Sequence, residues 1–197
     1  MILAALLLAQ AGTAVDAEHA FNRVAQTEGQ WTAFRRYATE DAVMFAPKPV
    51  NAQAFLKNRK NPPFSVQWWP AESYVACDGT VAVNTGPWAA ARGSGFFTTV
   101  WTAQADGGWK WVYDGGDALK APRTLPERPR MRRAACVAVP PSTPAMAGPD
   151  QGAGASRDGS LRWRWAMAAD GSRSFTASIW TGKRFEDVII DRVSAPQ

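Results

Sequence analysis

The sequence predicts an α+β fold with a second, smaller β unit behind it. Three observations predict this. A helical stripe opens the chain, a long run of alternating segments joined by Asp-Gly and Gly-Gly turns follows, and alternation returns near the C-terminus after a Pro- and Gly-rich interval. The chain has 197 residues, 46% of them hydrophobic, which suits one compact domain with an appendage.

The elements follow in order. Ile2 to Ala9 is the longest apolar run, well short of the ~18 residues a membrane span needs. Its length suits the core of a secretory signal peptide, and Ala9, Ala11, Gly12 and Ala14 offer small residues for cleavage. No Lys or Arg precedes it, so the apolar start of a helix stays open as the other reading. Residues 1–15 are expected to be the signal peptide and the protein periplasmic or secreted, with a cytoplasmic protein as the alternative. Ala17 to Glu28 places Ala17, Ala20, Phe21, Val24 and Ala25 on one helical face. After Gly29, the residues Trp31, Phe34 and Ala38 carry a second short stripe. Ala42 to Phe45 is a short apolar strand, and Asn51 caps a third helix over Ala52 to Arg59.

Strands come next. Ser65 to Ala76 is interrupted by Pro70, Asp78-Gly79 is a hairpin turn, and Thr80 to Trp88 alternates Val81, Val83 and Thr85 against Ala82 and Asn84. Phe96 to Gln104 and Trp109 to Asp114 flank the turn at Asp106-Gly107-Gly108. Six basic residues between Lys120 and Arg133 oppose only Glu127, a surplus equal to the formal net charge of +5, so the rest of the chain is balanced. That segment has prolines and no aromatic residues, which argues against nucleic-acid binding. Residues 122–159 read as a basic, then Pro- and Gly-rich linker. Leu161 to Ala168, Phe175 to Thr181 and Phe185 to Val193 read as a three-stranded meander, too small to stand alone, in a unit spanning 160–197.

The helix Ala17–Glu28, the step Gly29 to Phe34, the segment Tyr37 to Phe45 and the pair Phe97–Trp101 with Gly107–Val112 resemble the nuclear transport factor 2-like superfamily, in its SnoaL-like flavour. The resemblance covers about Asp16 to Ala121, so 16–121 is expected to be a cone-fold domain. It implies a curved antiparallel sheet wrapped on the helices, a pocket at the open end and homodimerisation through the sheet. Members include enzymes and non-enzymatic binding domains, so fold alone does not settle function.

The single histidine, His19, and two distant cysteines exclude a His-rich metal centre and a zinc knuckle, and neither metal nor cofactor is expected. Cys77 and Cys136 could pair in an oxidising compartment, closing a loop of about 60 residues worth ~4 kcal/mol in the loop-entropy model. In a reducing one they are two thiols. For catalysis the candidates are Asp114, Asp117 and Tyr37, with Asp41 read as a cap or surface residue. Strict alternation puts Trp109, Trp111 and Tyr113 on one face and Lys110, Val112 and Asp114 on the other, which turns Asp114 outward with the lysine. His19 reads as a surface residue. The tryptophans either fill the core or line an aromatic pocket; Trp68, Trp88, Trp101 and Trp111, with Tyr37, are the expected ligand-binding residues. This favours a non-catalytic module that binds a small apolar ligand or pairs with itself. The alternative is a small lyase, isomerase or hydrolase using a pocket Asp. A buried acid facing a cavity of a few hundred Å³, with a Tyr, Asn or second acid in reach, would favour the enzyme.

Overall fold

The computed structural model describes residues 12–121, 123–141 and 147–196. Most of the expected signal peptide, residues 1–11, lies outside them.

Helix α1 (Ala14–Glu28) begins with a capping box, in which the Thr13 hydroxyl accepts the Asp16 N–H and the Asp16 carboxylate accepts the Thr13 N–H. Helix α2 (Gln30–Tyr37) follows directly, and the short α3 (Ala52–Leu56) is capped by Asn51, whose side chain accepts the Ala54 N–H at 2.8 Å. The apolar stripes of these helices face the inside of a large curved sheet. Its strands are β1 (Ala38–Phe45), β2 (Pro49–Asn51), β3 (Gln67–Trp68), β4 (Glu72–Val75), β5 (Val81–Ala90), β6 (Gly93–Ala103), β7 (Trp109–Leu119) and β8 (Arg130–Arg133). They run in the order β2-β1-β7-β6-β5-β4-β8, with β3 beside β5. Phe21, Ala25, Ala33, Leu56, Trp101 and Trp111 form the core between helices and sheet. A mixed α+β architecture with few helices and one large curved sheet is thus in place.

The C-terminal part differs from the expected three-stranded meander. It is a five-stranded sheet ordered β13-β12-β11-β10-β9. Its strands are β9 (Ala147–Gly148), β10 (Gln151–Ala155), β11 (Leu161–Met167), β12 (Arg173–Trp180) and β13 (Phe185–Val193). Three strands, β8, β9 and β10, therefore fall inside the span 122–159 expected to be a linker. Strand β8 forms because its backbone extends the curved sheet, pairing parallel with β4 from Glu72↔Arg130 to Val75↔Arg133. Strand β10 has the sequence Gln-Gly-Ala-Gly-Ala, which composition assigns to a flexible tether. It is a strand because the rings of its neighbour need the space. Gly152 and Gly154 oppose Trp165 and Trp163, and a Cβ at either glycine would lie 2.5–2.6 Å from the ring.

The second sheet packs against the outer face of the curved one. Tyr74, Val83, Val100 and Tyr113 from the first meet Leu161, Trp165, Phe175 and Ile179 from the second in one buried cluster. Tyr113 stacks on Phe175 with ring centroids 4.7 Å apart. The chain's own C-terminal sheet covers that outer face. A disulfide between Cys77 and Cys136, with Cα atoms 5.2 Å apart, ties the end of β4 to the chain leaving β8. Among the described residues no helix is long and apolar enough to cross a membrane.

Candidate functional site

The site starts from one extra residue. Along the β6–β7 ladder Val100 faces Tyr113, yet Trp101 faces Trp111, so Val112 is unmatched and forms a β-bulge. Before the bulge Trp109 and Trp111 point into the helix-packed core; after it Tyr113 points to the second sheet. Asp114 is therefore turned inward, opposite to what unbroken alternation predicts. It stands in the pocket wall and accepts a hydrogen bond from the Thr99 hydroxyl at 3.1 Å.

Asp114 ends a polar row running across the inner face. Asn84 of β5 pairs with Thr99 of β6, and Thr99 pairs with Asp114 of β7. The Asn84 side chain donates to the Ala14 carbonyl at 2.9 Å and to Glu18 Oε2 at 3.1 Å, while its own carbonyl oxygen is buried without a partner among the described residues. Glu18 is completely buried, though it lies on α1 between the core residues Ala14 and Phe21. Two indole N–H groups hold it, Trp68 on Oε1 at 2.8 Å and Trp101 on Oε2 at 2.7 Å. Burial dominates its titration and pushes its pKa up to about 7, against the opposing pull of those donors. Burial also raises Asp114 to about 8; the charge of Glu18 adds to this and the Thr99 bond subtracts. Asp114 keeps some accessible surface because it faces a cavity, but protein surrounds its carboxyl otherwise.

That cavity is about 260 Å³ and lies between helix α2 and strands β1, β5, β6 and β7. Phe34, Met44, Phe45, Trp68, Trp88, Phe96 and Phe97 form its apolar wall, with Val66 beside them. Asp114, Asp117 and Arg173 are the charged residues on it. A second cavity of about 240 Å³ shares Trp88 and Phe96 and lies toward Trp69 and Leu125.

The expected site residues separate accordingly. Trp68 and Trp88 line the cavity. Trp101 and Trp111 do not: both are fully buried against the helices, Trp101 beside Phe21 and Trp111 beside Phe34. The helices pack directly over these two rings. Tyr37 packs on Phe21 and Trp101 and forms no part of the cavity wall. Asp117 stands on the wall with its carboxylate on the Ala118 N–H at 2.9 Å. Asp41 and His19 are exposed. Sequence reading missed Glu18, Asn84, Thr99 and Arg173. Glu18 had a signal: its spacing from Ala14, Phe21 and Ala25 sets an acid within the apolar stripe of a helix.

The wall carries one acid whose titration is displaced toward neutrality, several aromatic surfaces and one guanidinium. Such a set can bind a flat apolar molecule and exchange a proton with it. Among the described residues no group of three or more His, Cys, Asp or Glu side chains is placed to hold a metal.

No protein-family model matches the chain, and no curated protein does. A solved structure of a protein of unknown function, of the DUF3225 family from Pectobacterium atrosepticum, aligns with 53% of this chain and 89% of its own. The identity is 15% and the TM-score 0.39, a likeness too weak to carry an argument.

Proposed function

We propose that this protein binds a small ligand with a flat apolar body in the cavity lined by Trp68, Trp88 and Asp114. The observation that carries this is the wall itself: seven large apolar side chains around about 260 Å³, with a few polar groups set among them. The test is a titration with 4-tert-butylbenzamide, followed by intrinsic tryptophan fluorescence, since Trp68 and Trp88 would report occupancy. Saturable quenching or shift, weakened about tenfold by Trp88→Ala, supports the reading. A wild-type spectrum unchanged at millimolar ligand overturns it.

A second reading, a cone-type lyase, isomerase or hydrolase, is favoured by Asp114. Its carboxyl faces the cavity with a pKa raised to about 8, so near neutral pH it holds a proton to give. In that case Asp114→Asn keeps ligand affinity and abolishes turnover. Among the described residues, none of the partners named for such an acid hydrogen-bonds Asp114, which is held by Thr99 instead; for this reason binding is put first.

We also propose export. The disulfide and the short apolar start support it. The Gly12 carbonyl accepts the Trp109 indole N–H at 2.7 Å and Thr13 caps α1, so cleavage at or before Gly12 leaves the fold whole. Mass spectrometry of native protein beginning at Met1 would count against export.

A further inference from the structure

Among the described residues, Arg173 is the one lining this cavity that comes from the second sheet. It opens β12 and reaches the first sheet where Gly115 and Gly116 leave the β7 wall without side chains. Its guanidinium donates to the Gly116 carbonyl at 2.8 Å and, at the limit, to the Pro47 carbonyl at 3.5 Å. It also lies 4.5 Å from the centre of the Phe45 ring, another cavity residue. These contacts fix the group but leave its charge unanswered. Among the described residues it forms no ion pair; the three present are Arg36–Glu28, Arg123–Asp191 and Arg132–Glu186. The two acids on the same wall are otherwise engaged, Asp114 with Thr99 and Asp117 with the Ala118 N–H.

A guanidinium has five N–H donors, and two are used here. A half-buried, oriented cation with spare planar donors beside aromatic walls is suited to a carboxylate, whose two oxygens match the guanidinium fork. We propose that Arg173 anchors the carboxylate of the ligand, so that the cavity takes a small aromatic or aliphatic carboxylic acid with its hydrocarbon part against Phe34, Trp68, Trp88 and Phe97. This rests on the binding reading above. It also gives the C-terminal sheet a part in recognition: it closes one side of the pocket and supplies its cation.

The test is calorimetric titration of the whole protein with 4-tert-butylbenzoate and with its neutral counterpart 4-tert-butylbenzamide. The carboxylate is expected to bind at least about tenfold tighter, the size of one charge-assisted contact. Arg173→Met is expected to erase that preference, weakening carboxylate binding at least about tenfold more than amide binding. Arg173→Lys, which keeps the charge without the fork, is expected to keep only part of it. Should Arg173→Met fail to fold, an undiminished preference in Arg173→Lys overturns the proposal. Equal binding of the two probes by the wild type overturns it and leaves the pocket reading standing. Binding of neither probe overturns both.

Discussion

Asp78 and Asp158 cap each other across the two sheets: each carboxylate accepts the backbone N–H of the other residue at 3.0 Å. Both belong to Asp-Gly turns, one between β4 and β5, the other between β10 and β11. The Ser160 hydroxyl accepts the Cys77 N–H at 2.8 Å and the Thr80 hydroxyl accepts the Arg157 N–H at 3.2 Å, so the hairpin ends are latched reciprocally. Burial alone would raise Asp158, but bonds from Ser156, Ser160 and the Asp78 N–H hold its pKa below the usual carboxylate value. Asp158→Ala removes all of these at once and should cost about 1–3 kcal/mol. Urea denaturation would show a lower midpoint, and an unchanged midpoint would mean the latch carries no stability.

The disulfide makes a second prediction. Cys77 sits beside that latch, and its bond to Cys136 closes a separation of 59 residues. The loop model assigns such a closure ~4 kcal/mol. Adding reductant, or making Cys77→Ser with Cys136→Ser, should lower the urea midpoint by a corresponding amount. Indifference to reductant would show that the packed sheet-to-sheet core already restrains this part of the chain.

Stability should fall as pH rises toward 8. Glu18 and Asp114 have pKa values raised in the folded protein, to about 7 and about 8. Between their ordinary values and these, the folded protein holds protons that the unfolded chain has released. Their contribution is therefore fully present below about pH 4 and is lost as pH climbs through the raised values. For Glu18 alone the change is on the order of 3 kcal/mol. Glu18→Gln should flatten the slope between about pH 4.5 and 7. Below about pH 7, where Glu18 itself is protonated, it should also lower stability, since the amide NH2 has no lone pair for the indole N–H that faces it. Thermal melts across that range check both statements, and a wild-type melting temperature that rises from pH 5 to 8 would contradict them.

Gly154→Val should damage the second sheet although valine is the better strand former. A Cβ at residue 154 would lie 2.6 Å from the Trp163 ring, so the ring must leave the strand it covers. A loss of about 1–3 kcal/mol and a changed near-ultraviolet circular dichroism spectrum are expected. If valine stabilises the protein, the ring does not lie over this glycine.

Local pattern was sufficient for the helices and most strands. The stripe through Phe21 and Ala25, the Asn51 cap and the alternation of Leu161, Trp165 and Met167 each lie within a few residues of chain, where side-chain period and backbone conformation determine one another. What needed the tertiary structure was decided by a partner far away in sequence. The extra residue at Val112 exists only relative to β6, and it turned Asp114 from the outer face to the cavity. The glycines of β10 became a strand only under the rings of Trp163 and Trp165. The Glu18 carboxyl became a buried group with a raised pKa only once Trp68, Trp101 and Asn84, 50 to 83 residues away, closed around it. Arg173 joined the cavity only because the second sheet docks where Gly115 and Gly116 carry no side chains. Periodicity is a property of neighbours along the chain, whereas register, burial and charge pairing belong to neighbours in space.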